Sequence, residues 1–350
     1  MRNPLLLSLR GGLALALIPI LIGVLALLFA ETAQMRVVNI FMINLIIVVG
    51  LQVTMGNSNV ASLGHVTFMG IAAYVAAVLV IPITIKSTIL PHAPFGISHV
   101  EFPAYVAALI GVAVSTAIAF VTGVVITRQS GIAATIITLA LIVIVHVVFV
   151  NWIDLTRGPR AVYGIPVQTN VVQLMLITAG IVVFARLFRD SKSGVQLRAS
   201  SENLLAAASM GVNARGLRLL AWVLSGAIIS VGGVMYAFLI GSISPKSFYF
   251  DAVFLTLAML ILGGMRSVSG AVVGAIVVTV GFEVMRWFET GPVIFGGQIP
   301  QISGLTGFFL GATIVFFMAL RPDGLVGDEE LDEIVLRRAR ERAARLAAHE

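Results

Sequence analysis

The chain contains no cysteine and few charged residues, and both absences restrict what it can do. Zero cysteines among 350 residues exclude disulfides, thiolate chemistry and cysteine-ligated metal sites. Only 11% of the residues are charged and 59% are hydrophobic, whereas soluble domains average about 25% charged residues. Since so much apolar surface cannot all be buried in a soluble core, a large part of the chain must face lipid.

The chain also lacks the short motifs that carry chemistry. It has no G-x-x-x-x-G-K-[ST] stretch to cradle nucleotide phosphates, no H-E-x-x-H, no G-x-S-x-G and no aspartate-rich cluster. Two loop histidines, His92 and His99, have no carboxylate at ligand spacing. We therefore predict no catalytic residue, no metal site and no cofactor in this chain.

Apolar runs of roughly 20 residues recur along the sequence, each long enough to cross about 30 Å of hydrocarbon as a helix. Runs this long and unalternating exclude a β-barrel. We predict an all-α polytopic integral membrane protein of about ten transmembrane helices, some of them broken or short. The predicted spans are 13–30, 36–54, 61–81, 103–127, 131–151, 170–188, 217–240, 251–264, 269–288 and 302–320.

The basic residues lie at the ends of these spans. With the N-terminus inside, sixteen of the 22 Lys and Arg residues fall on the cytoplasmic side, which is the bias that topology produces. We therefore predict that both termini are cytoplasmic. The formal charge of +6 is explained in this way and does not indicate nucleic-acid binding.

One long polar and basic segment, residues 189–216, interrupts the apolar spans. It predicts a short helix over 200–211, with Ser200 as the N-cap, Glu202 in the first turn and Gly211 as the residue that ends the helix. One face of that helix is apolar and carries Leu204, Ala207 and Ala208. Such a segment either docks on a partner or rests on anionic lipid headgroups, and amphipathicity alone does not decide between them.

A second polar interruption follows the span 36–54. Helix formers give way to Asn, Ser and Gly over residues 56–65, which predicts a broken or re-entrant helix buried in protein. His65 at membrane depth is either a functional group or a neutral histidine whose hydrogen bond to nearby backbone holds the break.

Both interruptions resemble stretches of a known family. Gly194–Val212, GVQLRASSENLLAAASMGV, resembles the cytoplasmic loop of LivM-type branched-chain amino-acid permeases and the E-A-A-x-x-x-G loop of ABC importer permeases. Leu205 stands where that motif has Glu, and Ser201 and Ala208 replace family-typical Arg and Glu. Ser62–Phe68, SLGHVTF, resembles the S-L-G-H-x-x-F signature of the same family. Further blocks in the same order extend the resemblance over about residues 37–327.

The resemblance implies the ABC importer permease fold and a bacterial inner (plasma) membrane location. It implies a 1–327 permease domain, whose residues 189–216 we name the coupling loop, and a charged cytoplasmic helical tail over 328–350. The residues implied to contact an ATPase are Arg198, Ser200, Glu202, Asn203, Leu204, Ala206, Ala207 and Gly211. Those implied to lie at the translocation pathway or helix break are Asn57, Ser62, Gly64, His65 and Phe68.

The partners implied are a second, homologous permease in a heterodimer, two cytoplasmic ATP-binding-cassette ATPases that bind ATP and Mg, an external solute-binding protein, and membrane lipid. The implied cargo is Leu, Ile, Val or a similar small neutral or zwitterionic solute. Urea or short amides are the alternative within the same class. A secondary transporter coupled to an ion gradient would need carboxylates within the spans, and the sequence offers only Glu283, which is placed to pair with Arg286 at i, i+3.

Small residues four apart predict close helix packing in three spans. These are Gly226 with Ser230, Gly270 with Gly274, and Gly307 with Gly311.

Overall fold

The computed structural model describes residues 4–129, 131–291, 293–294, 297–298, 301, 303–321, 323–334 and 337. Most of the described residues are helical, and the chain divides into two compact units, Met1–Thr256 and Leu257–Glu350, which are described separately. The predicted all-α membrane architecture is confirmed. In the described residues, strand structure is limited to two short antiparallel pairs, β1 (Val162–Tyr163) with β2 (Ser242–Ile243) and β3 (Val293–Ile294) with β4 (Gly297–Gln298).

Helices α1 to α11 belong to the first unit, and α12 crosses the boundary between the units. The helices up to the 82–103 loop are α1 (Pro4–Phe29), α2 (Thr32–Ser58), α3 (Val66–Val80) and α4 (Ile83–Ile89). They are followed by α5 (Ala104–Ile126), α6 (Ile132–Asn151), α7 (Ile153–Thr156) and α8 (Val171–Asp190). The chain then forms α9 (Lys192–Glu202), α10 (Leu204–Ser209), α11 (Ala214–Ile240), α12 (Phe250–Gly263), α13 (Val268–Glu289) and α14 (Leu305–Leu320). Short 3-10 helices lie at Pro94–His99 and Pro245–Phe248.

Each of the ten predicted spans contains a helix, but not every helix is a full crossing. Within the described residues, eight helices are long and apolar enough to cross a membrane, and a ninth crossing results if α3 and α4, bent by 117° at their junction, count as one. The predicted span 61–81 begins late, because α3 starts only at Val66. The predicted span 302–320 contains a shorter apolar helix, Leu305–Phe317.

Helix α2 lies at the centre of the first unit. In the most apolar 18-residue stretch of α2, 78% is buried, whereas in the corresponding stretch of α6 only 22% is buried. Helix α2 is therefore enclosed by protein, while α6 presents most of its surface outward. Helix α11 packs along α2, α3 and α5, and α1 packs along α8. The core therefore consists of α2 and α3, and the more exposed α5 and α6 are available to lipid or to other chains.

The predicted packing of small residues is confirmed in α11. A Cβ on Gly226 would lie 2.7 Å from the Ala119 side chain of α5, so the two helices approach too closely for a larger residue. Ser230, four residues on, donates a hydrogen bond of 2.7 Å to Ser115 Oγ of α5. Small residues thus bring helix backbones together and let hydroxyls satisfy one another inside the membrane.

In the second unit, Gly270 and Gly274 pack closely on the end of α12. A Cβ on Gly270 would lie 2.5 Å from the Gly264 carbonyl oxygen, and one on Gly274 would collide with the carbonyl of Met259. The third pair behaves differently, since no described atom lies within 4 Å of a Cβ built on Gly307 or Gly311. Packing through that pair stays a prediction.

The second unit is closed by the residues that follow α14. Leu325 and Val326 donate backbone hydrogen bonds of 2.9 and 3.0 Å to the carbonyls of Leu262 and Gly263. The buried Glu330 carboxylate then accepts from the backbone N–H groups of Val268 and Ser269, at 2.9 Å each, and from the Ser269 hydroxyl at 2.7 Å. These are first-turn N–H groups of α13 that lack intrahelical partners, and a carboxylate there also complements the helix dipole.

The sequence reasoning did not find this contact, because it treated residues from 328 onward as a solvated tail. The division into a 1–327 domain and a 328–350 tail stays a prediction, and residues 338–350 lie outside the described residues.

Candidate functional site

The coupling loop folds as two helices and not as one. Helix α9 ends at Glu202 and α10 begins at Leu204, with Asn203 in an extended conformation between them. Asn203 Oδ1 accepts a 3.0 Å hydrogen bond from the N–H of Ala206, which makes Asn203 the N-cap of α10.

The predicted N-cap role of Ser200 is therefore wrong. Ser200 lies inside α9, is buried, and donates its hydroxyl to the Leu197 carbonyl at 2.7 Å. Glu202 is the last residue of α9 and not part of the first turn of the following helix. Ser200 and Asn203 are both able to cap a helix, and of the two it is Asn203 that adopts the extended backbone, φ −146° and ψ 103°, that a cap requires.

The predicted end of α10 is confirmed. Gly211 has φ +77°, its N–H bonds to the Ala208 carbonyl, and the Val212 N–H bonds to the Ala207 carbonyl. This pair of bonds is a Schellman motif, in which a residue without a Cβ satisfies the last carbonyls of a helix. Asn213 then caps α11 by accepting from the Gly216 N–H at 3.0 Å, so the loop is ordered by its own hydrogen bonds.

The exposed surface of α10 differs from the predicted apolar face. Ala207 is buried against the chain itself, while Leu204 and Ala208 are exposed. The most exposed apolar side chains are Leu205 and Met210, which are 84% and 83% accessible. Burying two large apolar side chains stabilises an association by about 1.5–3 kcal/mol each, so this surface is suited to contact with another molecule.

The second predicted site, the polar interruption at residues 56–65, is a true break between α2 and α3, but it starts later than predicted because α2 continues to Ser58. We name residues 59–65 the helix break. Asn59 ends α2 in the left-handed conformation at φ 53°, and helix resumes only at Val66. The five residues predicted at the pathway or break are all buried within the first unit. They are Asn57, Ser62, Gly64, His65 and Phe68.

Helix α6 holds one side of the break. The N–H of Leu63 donates to Thr138 Oγ1 at 3.1 Å, and the Thr135 hydroxyl donates to the Ala61 carbonyl at 3.0 Å. Gly64 passes so close to α6 that an added Cβ would lie 2.5 Å from the Thr138 carbonyl oxygen. Backbone groups that a helix would satisfy internally are thus satisfied by α6, as burial in a membrane protein requires.

His65 holds the other side of the break. Its Nδ1 lies 3.0 Å from the Ser62 carbonyl oxygen and its Nε2 lies 2.7 Å from Thr256 Oγ1 on α12. A carbonyl only accepts, so Nδ1 carries the proton and donates it to the backbone, while Nε2 pairs with the threonine hydroxyl. This geometry matches the interpretation of His65 as a neutral histidine that stabilises the break.

Phe68 anchors the first turn of α3 in the core. Its ring meets Trp222 of α11 edge to face, with centroids 5.5 Å apart, and its carbonyl accepts from the Ser115 hydroxyl at 2.9 Å. A role of Phe68 or of the break residues in lining a pathway stays a prediction.

Sequence reasoning missed the threonines that complete the break: Thr135, Thr138 and Thr256. All three lie in apolar spans, and none belongs to the two stretches quoted above for the family resemblance. The i, i+3 spacing of Thr135 and Thr138, which places both hydroxyls on one helix face, is the one sequence signal that pointed to them.

The two candidate sites are in direct contact. Arg198 of α9 donates from Nη1 to Asn57 Oδ1 at 3.1 Å, across 141 residues of sequence. A residue predicted to serve the coupling loop thus touches a residue predicted to serve the break.

The glutamate predicted within a span behaves as an ordinary surface ion pair. Glu283 Oε1 and Arg286 Nη1 are 3.0 Å apart, and both side chains are solvent-accessible, at 36% and 57%. The i, i+3 pairing is confirmed, and it needs no proton-relay role to explain it.

Comparison with known proteins agrees with the resemblance. The family described as branched-chain amino acid transport system / permease component matches residues 34–318. The high-affinity branched-chain amino acid transport system permease protein LivM of Escherichia coli is 26% identical over 320 residues, which cover 81% of this chain and 68% of that protein.

Shorter matches extend to other permeases. The probable branched-chain amino acid transport permease protein LivH of Methanocaldococcus jannaschii is 32% identical over 142 residues, 39% of this chain and 42% of that protein. The nucleoside ABC transporter permease protein NupC of Lactococcus lactis is 30% identical over 143 residues, 41% of this chain and 42% of that protein. No solved structure matches the chain.

The family match covers most of the chain, including the helix break and the coupling loop, and its relatives are inner-membrane proteins like the multi-pass protein described here. The chain therefore belongs to the family of permease components of branched-chain amino acid transport systems.

Proposed function

We propose that this chain is one of two membrane-spanning subunits of an ATP-driven importer that moves a small neutral or zwitterionic solute into the cytoplasm. The observation that carries the proposal is the exposed apolar surface of α10 in the coupling loop. In a chain of this permease family, α10 is ordered by its own caps at both ends and yet exposes Leu205 and Met210. A surface that is rigid before contact loses little conformational entropy when a partner covers it.

The partner proposed for α10 is a cytoplasmic ATPase subunit, and two copies would serve two permeases. ATP and Mg would be bound by those subunits, since this sequence has no phosphate-binding loop. The other permease would be a homologous chain, and a solute-binding protein on the outer face would deliver the cargo. Contact of the loop with anionic lipid is the alternative, and an apolar α10 surface favours a protein partner over headgroups.

Branched-chain amino acids are the proposed cargo, because LivM of Escherichia coli carries that description over 81% of this chain. The partial match to a nucleoside permease over 41% of the chain requires that nucleosides be tested beside amino acids and short amides. A carrier driven by an ion gradient has less support, since Glu283 is already paired at the surface.

The test is purification of the chain in a mild detergent from its native membrane, followed by mass spectrometry of the associated proteins. Two ATPase subunits and a sister permease are the expected result. Reconstitution of that assembly should then give uptake of leucine, isoleucine or valine that requires ATP and the binding protein. Recovery of the chain alone, still able to transport without ATP, would overturn the proposal.

A further inference from the structure

Arg198 of α9 contacts the ends of two other helices at one point. Its guanidinium Nη1 donates to Asn57 Oδ1 at 3.1 Å and to the Arg189 carbonyl oxygen at 2.5 Å. Asn57 lies in the last turn of α2 and Arg189 in the last turn of α8, while Arg198 itself belongs to α9. A cation at the C-terminal ends of two helices is favoured by both helix dipoles and by the carbonyls that the last turns leave without partners.

Asn57 is held in the orientation that this contact needs. It is fully buried, and its Nδ2 donates to the Val53 carbonyl one turn back at 3.0 Å, which directs Oδ1 toward Arg198. Two residues later Asn59 ends α2, and the helix break begins. The guanidinium of the coupling loop therefore touches the last turn before the break.

The break continues this set of polar contacts into the bundle. Its Leu63 N–H bonds to Thr138 of α6, and its His65 bonds to Thr256 of α12. A displacement of α9 that moves the end of α2 must either move the break against α6 and α12 or break one of these hydrogen bonds. Close-packed interiors do not absorb such a displacement by gradual deformation.

We propose that Arg198 is a positioning residue that transmits movement of the coupling loop to the helix break through Asn57. The break is the element that shifts, and α6 and α12 are the elements that it shifts against. The idea that ATP causes the movement rests on the proposed function, whereas the mechanical link between α9 and the break does not.

The two exposed basic residues of the coupling loop do not offer this link. Lys192 is the first residue of α9 and Arg215 lies in the first turn of α11. Arg198 is half-buried and bonds to a buried amide, so its hydrogen bond is charge-assisted and shielded from water. Lys192→Ala is consequently a matched control, since it removes a cation from the same helix and leaves the Arg198 contact intact.

The link is tested first by amide hydrogen exchange of the purified complex in lipid nanodiscs without nucleotide. Arg198→Ala and Asn57→Ala should each raise exchange in peptides covering the break by about tenfold, because each removes a hydrogen bond to a charged group. Lys192→Ala should leave exchange within about twofold of the unchanged protein. The double variant should exchange more slowly than the two single effects combined would give, since both substitutions remove the Arg198–Asn57 hydrogen bond.

The functional readout is the number of ATP molecules hydrolysed per solute imported. Arg198→Ala should raise this ratio by on the order of tenfold, with ATPase subunits still bound. Arg198→Lys, which keeps a charged donor, should restore part of the coupling. A structural role alone would lower the amount of assembled complex but leave the ratio unchanged in the complex that remains.

The outcomes separate this inference from the proposed function. Unchanged exchange at the break in both alanine variants, or additive effects in the double variant, overturns the link whatever the complex transports. Faster exchange together with an unchanged ATP-to-solute ratio overturns the transmission role. Complexes that contain no ATPase overturn the proposed function, while the exchange result still decides whether Arg198 holds the break.

Discussion

The coupling loop and the helix break are both polar interruptions in an apolar chain. They differ in burial, because the break buries polar residues whereas α10 of the coupling loop exposes apolar ones. At the break, every residue predicted to matter is buried, and the segment is held by hydrogen bonds from α6 to its backbone and from α12 to the His65 imidazole. In α10, six residues long, only Ala207 is buried, and the caps come from the segment itself. The break is therefore a buried segment stabilised by contacts within the protein, whereas α10 offers an exposed surface for another molecule to cover.

This difference predicts how substitutions should act. Substitutions in a buried segment such as the break should lower the thermal stability of the permease. Substitutions on α10 should leave its stability unchanged and weaken its association with a partner.

Gly64→Ala should have the largest effect on stability. The new Cβ would lie 2.5 Å from the Thr138 carbonyl oxygen of α6, so backbone must shift to accommodate it. Overpacking of this kind destabilises by about 3 kcal/mol. The measurement is thermal unfolding of the detergent-solubilised permease, followed by the loss of its monodisperse size-exclusion peak.

Gly180→Ala is the matched control, because this α8 glycine is exposed and has no described atom within 4 Å of an added Cβ. The control should unfold at or slightly above the temperature of the unchanged protein, since alanine favours helix by about 1 kcal/mol. Equal midpoints for the two variants would show that the break is loosely packed.

Glu330→Gln tests a buried contact in the second unit, that of the Glu330 carboxylate with the start of α13. The substitution replaces a charged acceptor of three hydrogen bonds at the start of α13 by an amide whose NH2 group faces N–H donors. The expected loss of stability is about 2 kcal/mol, measured by the same unfolding assay. Asp323→Asn, an exposed acid in the same segment, should leave the midpoint unchanged.

His65→Gln should have a small effect and leave the pH dependence of transport unaltered. Glutamine can keep one of the two hydrogen bonds of the imidazole, so the loss is about 1 kcal/mol. His65→Leu removes both and should unfold at a lower temperature. Uptake by reconstituted complexes across a pH series is the check, and a shifted profile in His65→Gln would indicate that the imidazole exchanges protons during transport.

Much of this arrangement could be predicted from the sequence, because its signals are local. The apolar runs gave the helices, Gly211 gave the end of α10, and the Asn-Ser-Gly stretch gave the break. The cap of α10 was misplaced because Ser200 and Asn203 are both good N-caps, and only the backbone conformation distinguishes them. Such a choice depends on where α9 stops, which its composition does not specify.

The contacts made by Arg198, Thr138, Thr256 and Glu330 could not be predicted, because each joins residues that are far apart in sequence. Arg198 and Asn57 are separated by 141 residues, and His65 and Thr256 by 191. In each case a single polar side chain has no periodic pattern around it to show which helix it faces. Only the packing of α2, α6, α9 and α12, and for Glu330 the packing of the chain after α14 on α13, brings these partners together.

Leu205→Asp should have the smallest effect on stability and a large effect on assembly. Leu205 is 84% exposed, so a carboxylate there remains hydrated and costs the permease almost nothing. In a complex, the same carboxylate would be desolvated against whatever covers α10, with the loss of an apolar contact in addition. The expected result is an unchanged unfolding midpoint together with loss of co-purified ATPase, and Leu205→Met should retain both. If Leu205→Asp instead lowered the unfolding midpoint and the ATPase still co-purified, α10 would be a structural element like the break. The distinction between the two regions would then be wrong.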